Sequence, residues 1–245
     1  MNANRMALNA DKTHLMIAGT SQIVSKVNQE QINICMDNIS LKQSDDHSEK
    51  VLGVFVQQNL KWTKHIEDLK CKLKLRLAGL GKIRHVLHLE KRKLVAKAIF
   101  ESVLTYCIAA WGGASKCEIE ELQVLQNKAA QFVLNLPQRS SRDQMFNNLG
   151  WLTVNQLSVF HTLLAVYNIR QSKEPEYLAK KLCRDNARGN IIISFTNLTL
   201  LKKSFIVRGA ELWNSVPFSI RSLSKVAEFK NSLKEWMRAN VEKFM

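Results

Sequence analysis

The chain has 245 residues, 46% hydrophobic and 23% charged, enough to bury a core and unlike a disordered or fibrous sequence. Its 36 Lys and Arg against 21 Asp and Glu give a formal charge of +15, which favours a polyanion such as nucleic acid or an acidic membrane surface. The longest apolar stretches, 98–111 and 159–167, are interrupted by Glu101, Thr105, His161 and Thr162 and fall short of the ~20 residues a membrane span needs.

The N-terminal "MNANRMALNADK" has no apolar core of signal-peptide length, so a soluble intracellular chain, nuclear or cytoplasmic and with no membrane partner, is expected. Cys35, Cys71, Cys107, Cys117 and Cys183 lie far apart with no CxxC. Cys71 and Cys107 fall within apolar helical patterns, as reduced thiols do, and neither disulfides nor zinc are expected.

Strand signals are confined to the first sixty residues. "HLMIAG", "INICMD" and "VLGVFVQ" are short apolar or β-branched runs, with "KQSDDHSEK" as a turn between the last two. From Trp62 the period becomes helical: Ile66, Leu69, Leu73, Leu77 and Leu80 stack on one face. A second helix is predicted from about Glu90 to Ala110, with Gly112 and Gly113 as its stop and Ser115 as the cap of a third. In the third helix Leu122, Leu125, Ala129, Phe132, Val133 and Leu136 form one stripe, and Pro137 is expected to end it. Further helices are predicted at 141–149, 153–172, 198–214 and 224–242, and "CRDNARGNIIISFTN" reads as a loop that can hold a short strand. The expected class is mainly α with a small N-terminal antiparallel β element.

Charge is the strongest chemical signal. Positions 61–97 carry twelve Lys or Arg and three acids. Lys70, Lys72, Lys74 and Arg76 flank the leucine stripe, where they can reach phosphates; the bland alternative is a solvated helix surface. Catalytic constellations are scarce. Asp45–Asp46–His47, with Glu49 nearby, lies in a hydrophilic turn with no apolar strand to aim it, and His85 and His88 have no evident third ligand, so no metal site is assigned. There is no GxSxG, GxxxxGK or GxGxxG. Trp62, Trp111, Trp151, Trp213 and Trp236 read as core packing, with base stacking considered for Trp62 alone.

Six blocks, "LNADKTHLMIAG", "VLGVFVQQNLKWTKHI", "LTYCIAAWGGASK", "LQVLQNKAAQFVLNLP", "LGWLTVNQL" and "KKSFIVRGAELWNSVPFSIRSLSKVAEFKNSLKEW", together resemble jockey-type non-LTR retrotransposon (LINE-like) reverse transcriptases in order and spacing. The resemblance runs from Leu8 to Trp236. It implies a palm remnant with a primer-grip-like hairpin at 1–60, with Leu52 and Gly53 in the grip, a basic helical thumb-like domain at 61–137, and a C-terminal helical region at 138–245. In this reading the fold is a partial α+β palm followed by helices. An RNA/DNA or DNA duplex is the implied partner, held by Lys61, Trp62, Lys64, Lys70, Lys72, Lys74, Arg76, Lys82 and Arg84, and the missing palm and fingers portion is a further one. The family's Mg2+-holding aspartates would lie before Met1, so this chain is expected to carry no cofactor and to be inactive alone. Lys12 matches the family's lysine after the palm helix, a proton donor to pyrophosphate; the alternative is an exposed turn lysine. A reading of another class is a helical protein-interaction module derived from a mobile element, with no nucleic-acid role.

Overall fold

The computed structural model describes residues 9, 13–24, 26, 34–36, 39–40, 42–43, 47–137, 140–193 and 199–240. The chain is mainly α with a small N-terminal β element, in two compact units, Met1–Glu67 and Asp68–Met245. Lys12, Asp45 and Asp46 lie outside the described residues.

In the first unit β1 (His14–Leu15) pairs in parallel with β4 (Lys42–Gln43), and β2 (Cys35–Met36) pairs antiparallel with β3 (Ile39–Ser40). The longest pairing is the hairpin of β5 (Ser48–Val51) and β6 (Val54–Gln57), in register Ser48 to Gln57 and Val51 to Val54. Its turn is Leu52–Gly53, with φ of +47° and +84°. Two positive φ values fit the sense of turn that matches strand twist. A short helix, α1, occupies Ser21–Val24. The first turn of α2 (Thr63–Lys82) is held by Gln57, whose Oε1 accepts the Lys64 N–H at 2.9 Å. Along α2, Ile66, Leu69, Leu73 and Leu80 are buried and Leu77 is half-buried, as the period predicts.

The helix predicted from Glu90 to Ala110 is interrupted. It begins as α3 (Leu89–Ala96), widens into a π turn at Lys97–Glu101, continues as α4 (Ser102–Leu104) and restarts as α5 (Ile108–Trp111). The hydroxyls of Ser102 and Thr105 donate to the Ala98 and Glu101 carbonyls at 2.5 and 2.8 Å, the competition that bends helices. Cys107 turns left-handed at φ +51°, and the Trp111 indole N–H donates to Tyr106 O at 2.8 Å. The break buries Leu104, Ile108 and Trp111 together, and it leaves Cys107 exposed; Cys71 on α2 is exposed too, outside the apolar stripe.

Helix α6 (Lys116–Leu134) starts at a capping box: Ser115 Oγ accepts the Glu118 N–H and Glu118 accepts the Ser115 N–H at 2.9 Å. It ends at Asn135, left-handed at φ +58°, rather than at Pro137 two residues later. Asparagine tolerates that conformation, so the hydrogen-bond ladder has already stopped when proline is reached. Helices α7 (Arg142–Leu149) and α8 (Val154–Ser172) agree with prediction. Ala130, Met145 and Phe146 form one core cluster between α6 and α7. Next comes α9 (Glu176–Leu182), which hydrophobic spacing did not reveal. The helix predicted at 198–214 is two pieces, α10 (Thr199–Lys202) and α11 (Phe205–Ser215), because Ser204 takes an extended N-cap conformation. The chain then forms α12 (Phe218–Arg221) and α13 (Val226–Ala239).

Helix α8 is the axis of the second unit, packed by α5, α6, α9, α11 and α13. Two glycines let neighbours approach it. A Cβ on Gly112 would lie 2.0 Å from Ser158 Oγ, and one on Gly209 would lie 2.9 Å from Val166 Cγ2. Between α8 and α11 the Arg208 guanidinium is held by hydroxyls, donating to Ser158 Oγ at 2.6 Å and Thr162 Oγ1 at 3.1 Å, while Ser158 donates to Gly112 O at 3.1 Å. Toward α13, Tyr167 stacks on Phe229 with ring centroids 4.2 Å apart and donates its hydroxyl to Ser224 O at 2.7 Å.

Candidate nucleic-acid interface

Helical spacing puts Lys70 and Lys74 on one side of the α2 stripe and Lys72 and Arg76 on the other. Their surroundings differ. Lys70 is paired with Glu121 of α6, and Lys72 with Asp68 one turn back at 2.6 Å. Lys74, Arg76 and Lys82 are exposed and, among the described residues, have no hydrogen-bond or ion-pair partner. Arg84 is turned inward: its Nε donates to Asn135 Oδ1 at 2.6 Å and its Nη2 to Leu136 O at 3.4 Å. Arg92 joins it, donating to Phe132 O at 3.2 Å, so two arginines of the basic run serve the carbonyl end of α6, where a helix favours cations. The basic run therefore splits into cations that hold the fold and cations that face solvent.

In the first unit, Lys61 is exposed and Trp62 is half-buried with its ring edge-on to His65, 6.3 Å between centroids. The Lys64 ammonium lies 5.5 Å from the centre of the Phe55 ring. The hairpin tip presents Leu52, 86% exposed, beside Gly53. Of the five tryptophans, Trp111 and Trp213 are buried, while Trp62, Trp151 and Trp236 are half-buried.

Among the described residues no three His, Cys, Asp or Glu side chains gather closely enough to hold a metal ion. Burial raises the carboxyl of Glu101, on the π turn, above the ordinary carboxylate range, against the pull of Lys97 and Lys234. His161 on α8 is lowered by burial, with Lys230 and Lys234 adding to the effect, which favours the neutral imidazole.

A cleft of ≈ 810 Å³ in the second unit lies among α6, α7, the start of α8 and the end of α13. Two of its cations are spent locally, Arg142 on Asp143 at 3.1 Å and Arg238 on Gly150 O at 2.5 Å, and Lys116 and Glu120 are also in the lining. A smaller cleft, ≈ 230 Å³, gathers Arg170, Lys173, Arg221 and Asp185, residues up to 51 positions apart that no sequence motif joined. The turn-rich "CRDNARGN" was the one sign of an ordered loop there.

No single helix among the described residues is long and apolar enough to cross a membrane. No family model matches the chain. No solved structure matches it. It is similar to a protein of Drosophila melanogaster described as a probable RNA-directed DNA polymerase from transposon X-element, with 30% identity over 87 residues. The aligned stretch covers 34% of this chain and 10% of that protein, so the chain matches about a tenth of its relative's length. That likeness supports a reverse-transcriptase-like origin for the chain.

Proposed function

We propose that the chain is the thumb and C-terminal part of a jockey-type non-LTR retrotransposon reverse transcriptase, and that its own biochemical property is binding of a template–primer duplex through backbone phosphates. The likeness to a transposon polymerase supports the origin. Duplex binding is carried by the exposure of Lys74, Arg76 and Lys82, three cations with no internal role in a basic run. Lys61, Trp62 and Lys64, expected from the sequence to join them, lie in the first unit, and Lys70, Lys72 and Arg84, expected likewise, are engaged internally. In this reading Leu52 and Gly53 touch the primer strand, and Lys12 has no reaction to assist. Polymerisation needs the family's palm and fingers portion, so residues 1–245 alone bind without extending a primer.

The test is binding of an RNA/DNA duplex across a salt series. Phosphate contacts release counterions, so affinity falls steeply with salt, and Lys74→Ala with Arg76→Ala and Lys82→Ala should flatten the log–log slope by roughly 2.7, about 0.9 per phosphate. Binding that ignores salt, or a slope unchanged in the triple variant, would remove this reading. One observation favours the protein-interaction module: Val86, Leu89 and Leu94 are all exposed on and before α3. Apolar association there would hold or strengthen with salt.

A further inference from the structure

The loop after α9 is firmly built. The backbone N–H of Asn186 donates to Asn190 O at 2.8 Å, and its Oδ1 accepts the N–H groups of Arg188 and Asn190 at 2.9 and 3.1 Å. Asp185 and Ile191 form an isolated antiparallel bridge. Asn214 on α11 grips Ile191 through both main-chain groups, at 2.8 and 3.0 Å. A loop held this way fixes the polar groups it offers to two arginines.

Arg170 is engaged through both terminal nitrogens of its guanidinium. It donates to both oxygens of Asp185, at 3.0 and 2.7 Å, and to Leu182 O at 2.5 Å, and it lies 5.2 Å from the Trp213 ring centre. Arg221 is not. Its Nη1 donates to Gly189 O at 3.0 Å and Asn190 Oδ1 at 3.1 Å, while its Nε is buried without a hydrogen-bond partner. An orphaned donor on a cation is costly, and Nη2, which has no partner among the described residues, remains to donate to an anion oxygen. The cleft around it is lined by Arg170, Lys173 and Arg221 against the single carboxylate Asp185, so it is net positive. Burial and the neighbouring Arg170 charge lower Arg221, with Asp185 opposing.

Size and rim narrow the ligand. At ≈ 230 Å³ the cleft is below the roughly 300–1,000 Å³ of sites that enclose a whole small molecule, so it suits a group carried on a larger one. Phe218 stands at the rim, 67% exposed, its ring centre 5.9 Å from Arg221 Cζ. An exposed aromatic face beside a cation is what an unpaired base stacks on, and a paired base cannot reach it.

We propose that this cleft binds one phosphate of a single-stranded nucleic acid on the Nη2 of Arg221, and that Phe218 stacks the adjoining base. The site rests on the loop and on α8, α11 and α12, and so stands apart from duplex binding by α2.

The test uses the full chain and a fluorescently labelled ten-nucleotide single-stranded RNA. Phe218→Ala and Arg221→Lys, the second keeping the charge but losing the guanidinium, are each expected to weaken single-strand binding about tenfold with duplex affinity unchanged, and with the thermal melt unchanged in Phe218→Ala. Wild-type affinity in both variants would overturn the proposal, as would failure of the wild-type chain to bind the strand at low salt. Inorganic phosphate in large excess should displace the strand only partly. Complete displacement would make this a free-phosphate site and overturn the polynucleotide assignment. A wild-type chain that binds the single strand but no duplex would count against the α2 reading and support this one.

Discussion

Arg208 shows how one residue can hold a charge inside a helical bundle without a carboxylate. Its fork meets Ser158 and Thr162, and Ser158 spends its own proton on the Gly112 carbonyl, so one hydroxyl serves as acceptor and donor at once. Burial lowers the guanidinium below its ordinary value, yet arginine remains charged. Removing the hydroxyl leaves a charged donor and a buried carbonyl short together. Ser158→Ala is therefore expected to cost about 2–3 kcal/mol, read from the urea unfolding midpoint. Arg208→Met removes the charge that needs solvating, so adding Ser158→Ala to it should cost clearly less than in the native background. Strict additivity in that double-mutant cycle would show that the two side chains are not coupled.

Among the elements, the β5–β6 hairpin carries the clearest local conflict between sequence and conformation. Its turn places a leucine at φ +47°, where Asn or Asp would be at ease and a branched apolar chain is strained. Leu52→Asn is expected to stabilise the first unit by about 1 kcal/mol, seen as an upward shift of its melt. If the tip touches primer, the same change lowers duplex affinity by removing an apolar contact. A more stable hairpin with unaltered duplex binding would take the grip role away from Leu52 and Gly53. Elements were legible where periodicity and caps agreed: the α2 stripe, the Ser115 cap of α6 and the span of α8 could all be read from spacing. The break at Cys107 could not, since "LTYCIAAW" holds neither Gly nor Pro and the cause is tertiary, the burial of Trp111 with its indole on Tyr106 O. Nor could the arginine-lined cleft, whose members are joined by the packing of α8 against α11 and by the Asn186 turn. Sequence density marked the cations of 61–97, but only side-chain geometry divides Arg84 and Arg92, bound to the end of α6, from exposed ones such as Lys74, Arg76 and Lys82.

For the whole molecule, the formal charge of +15 is itself a hypothesis that competes with any named site. A chain so basic gathers polyanions at low salt wherever its cations lie, so loss of affinity in a charge-removing variant does not by itself locate binding. A matched pair of variants separates the two explanations. Lys74→Ala, Arg76→Ala and Lys82→Ala remove three charges from α2 and its end. Lys128→Ala, Lys202→Ala and Lys203→Ala remove three exposed charges from α6 and from the start of the α10–α11 segment. Both lower the net charge equally, and at physiological salt a charge more than about 8 Å from the ligand is largely screened. Binding along α2 predicts that only the first variant flattens the salt slope, with affinity near 0.15 M salt hardly changed in the second. Equal losses in the two would mean that the whole surface, and not α2, does the binding.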